Sequence, residues 1–539
     1  MDPRGAEVAL ALPEPRRVPG GSPAAMAMGL GLLPVAFMAV LLVAPLLRLL
    51  AEGGSLGLRS YWVDLWQDDY LRWRLLWSFS QAAITCMLAL AVGLPVAWVL
   101  ARFDFMGRAL VLRLLMLPFV VPTLVAALGV LALAGPRGVL GAAFGLDLQG
   151  TPWLLLYGNL FFNLCLVVRA AVDALAHVSA TRTAAARSLG ATPWRAFWRI
   201  EWPAIAPALM SALCLVFLYC YAGFGLALVL GGQRYATVEV EIYTLVAYEL
   251  KLADAGALAV GVLLMTGTVA VIYALIEKRL ATPSRASGLP LQRPVGAAQW
   301  SAVAAALALL GLVCVAPLAA IAWRALSAGP SAWAVLLEAD TLTALWNTLR
   351  FSTAALLLAT LLGVLHALAA RHSVVLRAAA FLPFVVSPVM VAFGLLLLYP
   401  QWTASLPLLV AAYALLAFPF VAKSLAAALD NLPAAWEQAA RTLGASPWRV
   451  FWRVTLPLVG PALRRGMAFA AATAVGEFAV TLFLSRPEWT TLSTLIYRHL
   501  GRPGTANLDA AMVLATLLMT LALLAFAAID PPERTSRHA

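Results

Sequence analysis

Long apolar runs alternate with short polar segments along almost the whole chain. The runs fall at about 28–50, 75–100, 109–134, 153–175, 205–230 and 256–276, then at about 300–323, 345–370, 376–399, 405–428, 461–484 and 508–529. A helix needs roughly 20 apolar residues to cross a bilayer. The pattern therefore predicts an all-α polytopic membrane protein with about 12 transmembrane helices. Leu117-Pro118 and Pro122 interrupt the third run and predict a kink there. The first run, from Met28 to Leu50, is longer than the apolar core of a cleaved signal peptide, about 7–15 residues, and reads as a membrane helix. Residues 1–27 form a Pro/Gly/Ala-rich tail with Arg4, Arg16 and Arg17. A Pro/Ser/Gly-rich connector with Arg285 and Arg293 covers 281–299, between a first half at 28–280 and a second at 300–530, and 531–539 is a short C-terminal tail.

The polar segments differ in charge, and the difference orients the chain. Arg102, Arg108 and Arg113 follow the second run, Arg182, Arg187, Arg195 and Arg199 the fourth, and Arg371 and Arg377 the eighth. Basic loops face the cytoplasm. Glu52, Asp64, Asp68 and Asp69, then Glu239, Glu241, Glu249 and Asp254, then Glu338 and Asp340 fall in segments expected outside. Arg169 lies near the inner end of the fourth run, where its side chain can snorkel to the interface. Both termini are expected in the cytoplasm.

One polar segment occurs twice. Residues 185–209 read AARSLGATPWRAFWRIEWPAIAPAL and residues 439–463 read AARTLGASPWRVFWRVTLPLVGPAL, 254 positions later, with 16 of 25 residues identical. The duplication extends further. Leu117-Pro118-Phe119-Val120-Val121 matches Leu382-Pro383-Phe384-Val385-Val386, and Thr237, Ile242 and Tyr243 match Thr491, Ile496 and Tyr497. The chain is one six-helix unit used twice. Because six is even, both copies enter the membrane in the same direction, which makes the repeat parallel and puts both polar segments on one side.

Each copy predicts a helical hairpin. Ala185 and Ala186, or Ala439 and Ala440, lie in a run of good helix formers. Gly190 or Gly444 then supplies a left-handed helix end. Thr192-Pro193 or Ser446-Pro447 restarts the chain as an N-cap hydroxyl followed by proline at the first helical position. In the new helix Trp194, Phe197 and Trp198 share one face, as do Trp448, Phe451 and Trp452, with Arg195 and Arg199 or Arg449 and Arg453 on another. Pro203 and Pro457 are expected to end these short helices. An amphipathic helix lying on the bilayer would have a similar composition. It leaves unexplained why the glycine turn and both flanking helices recur at a fixed place in each half, and docking to a partner explains that better.

Composition narrows the chemistry. The chain is 63% apolar and 12% charged, with a net charge of +12. Its basic residues lie between apolar runs, where they act as orientation signals, and form no stripe on a soluble domain for nucleic acid. Cys86, Cys165, Cys214, Cys220 and Cys314 all lie inside apolar runs without CxxC spacing, and the five histidines, His366 among them, are scattered. Neither set reads as a metal site, and no cofactor is expected. No Ser/His/Asp set appears, so the chain does not read as an enzyme.

The repeated segment resembles the signature loop of importer permeases in the ATP-binding-cassette superfamily. That pattern is Glu-Ala-Ala, three residues, Gly, nine residues, Ile, one residue, Leu-Pro. The first copy has Ala184-Ala185-Ala186, Gly190, Ile200 and Trp202-Pro203, and the second has Gln438-Ala439-Ala440, Gly444, Val454 and Leu456-Pro457. Neither has the signature Glu in register, since Glu437 stands one position early. The resemblance implies that each short helix docks into a groove on a cytoplasmic ATPase subunit. The chain has no G-x-x-x-x-G-K-[ST] loop of its own. It thus implies two separate ATPase subunits, an extracytoplasmic solute-binding protein, and a place in the cytoplasmic membrane of a prokaryote. The coupling residues it marks are Ala185, Ala186, Gly190, Pro193, Trp194, Arg195, Phe197 and Pro203, with Ala439, Ala440, Gly444, Pro447, Trp448, Arg449, Phe451 and Pro457 in the second copy.

The fused two-half form is similar to thiamine-type and ferric-iron-type permeases. Gly223-Phe224, Leu230-Gly231-Gly232, Ala236 through Glu239 and Ile242-Tyr243 look most like the thiamine type. Glu477 falls in the outer half of the eleventh run, where a carboxylate costs a few kcal/mol unless it faces water or a partner. It is a candidate for lining the translocation path of a cationic solute, against a structural role on a neighbouring helix. A rival class is a carrier driven by an ion gradient. Such carriers usually bear several ionisable groups at mid-membrane, and these runs hold few away from their ends.

Overall fold

The computed structural model describes residues 23–530 apart from 56, 281–289, 404 and 485. The N-terminal tail with Arg4, Arg16 and Arg17, the connector's Arg285 and the tail at 531–539 lie outside the described residues. Helix makes up nearly all of what is described.

The long helices of the first half are α1 (Gly31–Gly54), α2 (Asp69–Arg102), α3 (Thr123–Ala134), α4 (Pro152–Ala176), α5 (Trp202–Tyr221) and α6 (Leu252–Leu280). Those of the second are α7 (Gly296–Ser327), α8 (Ala339–Ala370), α9 (Pro388–Leu398), α10 (Leu406–Asp430), α11 (Leu456–Val475) and α12 (Thr505–Ile529). Among the described residues ten helices are long and apolar enough to span a membrane, and Val374–Val385 with α9 forms an eleventh element bent by 93°. The twelfth position belongs to α11, which carries Arg464 and Arg465 yet packs between α10 and α12. The kink expected in the third run is a full break: Leu117–Val120 is a separate turn, and the chain is extended at Val121 and Pro122 before α3 begins. In the second half the chain breaks in the same place, extended at Val386 and at Ser387, which stands where the first half has Pro122, before α9.

The first helix of each half lies against the other half. The N-terminal part of α1 packs on α8 and its C-terminal part on α9, while α7 packs on α2 and α3. Both contain a five-residue π-helical turn, Ala39–Val43 and Gly311–Val315. Each turn ends two residues before a proline, Pro45 or Pro317. Proline has no N–H and its ring collides with the carbonyl four residues back, so a wider turn there lets the helix continue. The carbonyl five residues before each proline then loses its intrahelical partner, and in an apolar medium it needs another. The Tyr399 hydroxyl donates to Val40 O at 2.9 Å, and the Tyr157 hydroxyl donates to Leu312 O at 2.6 Å. Each tyrosine belongs to the opposite half.

The same device corrects one sequence expectation. Pro203 and Pro457 do not end the short helices. Pro193–Ala196 passes through a π-turn at Phe197–Glu201 directly into α5, and Pro447–Val450 passes through Phe451–Thr455 into α11. Each polar hairpin is thus one rigid continuation of a bundle helix.

A second correction concerns Glu239 and Glu241, expected in a loop outside the membrane. Both are buried in a helix at Val238–Ala247. Glu241 accepts a hydrogen bond from the Tyr70 hydroxyl at 2.8 Å and pairs with Arg74 at 3.4 Å. Glu239 accepts from the Ser387 hydroxyl at 2.8 Å, across the boundary between halves. Hydropathy along the chain cannot register partners so distant in sequence.

Candidate functional site: two hairpins and a cavity between the halves

The two hairpins have the same backbone. Ala180–Ser188 and Ala434–Thr442 are their first helices. Gly190 and Gly444 both sit at φ +82°, in the left-handed region. The Gly190 N–H donates to Arg187 O at 3.0 Å and the Ala191 N–H to Ala186 O at 3.0 Å, with matching bonds from Gly444 to Arg441 at 2.9 Å and from Ala445 to Ala440 at 3.1 Å. This paired pattern closes a helix through a left-handed residue and satisfies its last carbonyls. Thr192 Oγ1 then accepts the Arg195 N–H at 3.3 Å, and Ser446 Oγ accepts the Arg449 N–H at 3.4 Å. Pro193 and Pro447 occupy the first turn, where a missing N–H is harmless.

The aromatic faces form as expected. Trp194 meets Phe197 and Trp198 with ring centroids 6.3 and 5.5 Å apart, and Trp448 meets Phe451 and Trp452 at 6.1 and 5.5 Å. Yet Trp194 and Trp448 remain 69% and 68% exposed, and Leu189 and Leu443 at the turns 88% and 87%. A repeated apolar face this open, rimmed by arginines, is what a docking surface offers. The small residues Ala185, Ala186, Ala439 and Ala440 sit in the first helices, where their carbonyls accept the turn's bonds.

The anchors behind the hairpins differ. In the first copy Glu201, in the π-turn, is buried and ion-paired with Arg102 at the end of α2. In the second, Thr455 takes the position of Glu201, and Glu437 forms the anchor instead. Its carboxylate accepts from Arg371 at 3.1 and 3.4 Å and from the Thr455 hydroxyl at 2.8 Å. Burial pushes the Glu437 carboxyl up, but the hydrogen bonds from Arg371 and Thr455 outweigh it and hold the group below the usual carboxylate range. This clasp is therefore complete above the ordinary Glu value and is lost as pH falls through the lowered one.

A cavity of about 240 Å³ lies between the halves. Its walls come from the two matching LPFVV turns, from α4, α5, α10 and α11, and from the chain after α5 and α11. Phe224 and Phe478, equivalent residues 254 apart, stack across the boundary with centroids 6.0 Å apart. Phe119 meets Phe420 and Phe469 of the second half at 6.3 and 5.8 Å. Glu477 lines this cavity, but not from within a span. It stands in the break between α11 and the helix Ala479–Leu484, with its Oε1 accepting the Val480 N–H at 3.0 Å. Gly476, beside the break, packs closely on the other half: a Cβ there would come within 2.9 Å of Pro122. Sequence reasoning gave no role to Asn159 and Asn163, which also line the cavity. Two amides one helical turn apart in an apolar run were the available signal.

The sequence profile of the family described as "Binding-protein-dependent transport system inner membrane component" matches residues 93–282 and again residues 355–530. The chain belongs to this family, with its domain present twice. Among curated relatives, the thiamine transport system permease protein ThiP of Escherichia coli K12 is 27% identical over 492 residues, covering 87% of this chain and 90% of that protein. ThiP of Haemophilus influenzae is 27% identical and covers 92% of this chain and 94% of that protein. The sulfate transport system permease protein CysT of Synechococcus elongatus is 30% identical over 201 residues, which is 36% of this chain and 72% of CysT. The two hairpins of this permease fall one in each matched region, as do the LPFVV turns that wall its cavity.

Proposed function

We propose that this permease is the membrane-spanning subunit of an ATP-driven importer of thiamine, fed by an extracytoplasmic binding protein and moved by two cytoplasmic ATPase subunits. The observation that carries the solute is the span of the likeness. The thiamine permeases align over 87% and 92% of this chain, through both halves. The paired hairpins support one ATPase on each half, through Trp194, Arg195 and Phe197 and through Trp448, Arg449 and Phe451. In this reading they face the cytoplasm, and ATP-driven closure of the ATPase pair acts on α5 and α11 through the unbroken π-turns.

The test is ATP-dependent uptake of labelled thiamine by the full chain reconstituted with its ATPases and binding protein. Uptake of thiamine supports the proposal; uptake of ferric iron with none of thiamine overturns it. Glu477→Gln reports on the path. Glutamine keeps an oxygen for the Val480 N–H and removes only the charge. If Glu477 faces a passing cation, uptake falls about tenfold, the effect of a difference near 1.4 kcal/mol, with ATPase assembly unchanged. If the residue is only a helix cap, uptake is unaffected.

A further inference from the structure

The two halves repeat closely at the hairpins and in the pairs Phe119 with Phe384 and Phe224 with Phe478 beside the cavity, but not in the cavity's polar groups. In the 254-residue register, the partner of Glu477 is Gly223, that of Asn159 is Tyr413, and that of Asn163 is Ala417. The Tyr413 hydroxyl is turned to the Thr481 hydroxyl. The cavity thus holds amides on one side and a carboxylate on the other.

The amide side is built, not incidental. Gln81 donates to Cys220 O at 2.8 Å and accepts from Asn159 Nδ2 at 2.7 Å. Asn163 Nδ2 donates to Asn159 O at 2.9 Å and to Cys220 Sγ at 3.3 Å. The chain of bonds holds Asn163 in place and uses its donors. Its Oδ1 has no partner among the described residues, although the residue is only 2% exposed and lines the cavity. A buried acceptor without a donor is costly and calls for an explanation. On the other side Glu477 presents a carboxylate with one oxygen held by the Val480 N–H. Between them stand the rings of Phe119, Phe162, Tyr219, Phe384 and Phe420, whose faces favour a diffuse positive charge.

We propose that this cavity is a solute-binding station inside the permease, for an aromatic organic cation with an N–H donor at one end and its charge at the other. The donor end meets Asn163 Oδ1 and the charged end meets Glu477. The ligand is held in a single orientation because only one half supplies each group. A trivalent metal ion, which seeks several anionic oxygens at once, finds one carboxylate here. The proposal rests on the thiamine reading above for its probe. Thiamine is an aminopyrimidine joined through one carbon to a thiazolium cation, so it has both ends.

The test is equilibrium binding to the full chain in lipid nanodiscs, without the binding protein. The probes are thiamine and the analogue whose pyrimidine amino group is replaced by oxygen. We expect the wild type to bind thiamine about tenfold more tightly than the analogue, the effect of one desolvated hydrogen bond. Asn163→Leu should remove that preference, and Glu477→Gln should weaken both ligands alike while keeping it. Equal affinity of the wild type for the two ligands overturns the proposal and needs no variant that could misfold. So does a preference that survives in a well-folded Asn163→Leu protein. If thiamine is taken up by the full assembly yet does not bind the permease alone, this site falls and the function stands. If uptake fails while the amino preference holds in binding, the function falls and the site stands.

Discussion

Replacing both Gly190 and Gly444 with valine is expected to abolish ATP-coupled uptake while leaving membrane insertion intact. Both glycines sit at φ +82°, and neither has an atom within 4 Å of where a Cβ would stand. The penalty is therefore backbone strain, not a clash. An L residue held in the left-handed region costs about 1–2 kcal/mol, and a β-branched one costs more. The hairpins are exposed, so the strain has no core to hold it in place, and the turn relaxes to another path. The bonds from Gly190 to Arg187 and from Ala191 to Ala186 then break, and the Trp194 face turns away from its first helix. Asparagine tolerates the left-handed region better, so Gly190→Asn with Gly444→Asn should be milder. The measurements are the amount of full-length protein in the membrane, solute-stimulated ATPase activity and uptake. At least a tenfold loss of uptake is expected, since about 1.4 kcal/mol is already tenfold. Normal coupling in the double valine variant would remove the role given to the turn.

Arg102→Ala is expected to be the most destabilising single change near either hairpin. Glu201 is 3% exposed and ion-paired with Arg102, and its Oε2 has no partner among the described residues. Removing the guanidinium strands a buried charge, which costs about 3–5 kcal/mol. The Arg102→Leu, Glu201→Leu double variant removes both charges and should recover much of the loss. In the second copy Glu437→Ala frees Arg371, which is 28% exposed and can turn to water, so the cost there should be smaller, about 1–2 kcal/mol. Heating the purified chain and following the fraction that stays monodisperse ranks the variants. Equal losses for Arg102→Ala and Glu437→Ala would contradict the difference in burial.

The hairpins were legible in the sequence because their information is local. A glycine after a run of helix formers, then a hydroxyl and a proline, specifies a turn within a few residues. The apolar runs were legible for the same reason. The errors came where the deciding atom lies elsewhere. Glu239 and Glu241 looked like loop charges because their partners, Ser387 and Tyr70 with Arg74, lie far along the chain. Pro203 and Pro457 looked like stops because the wider turn upstream, which lets a helix pass a proline, leaves no composition signal. Glu477 looked like a residue within a helix, since nothing local shows that Gly476 is pressed against Pro122 of the other half. The cavity polarity was visible only as Asn159 and Asn163 in an apolar run, and its meaning required knowing what faces them.

The exchange of α1 and α7 bears on how the fused chain could be taken apart. Each carries a proline-freed carbonyl, Val40 O or Leu312 O, that is quenched by a tyrosine from across the boundary. A half synthesised alone would place that carbonyl in hydrocarbon, beside a groove its missing sister should fill. Severed in the connector, the two pieces should be degraded when made singly and should recover each other, as a non-covalent pair, when made in the same cell.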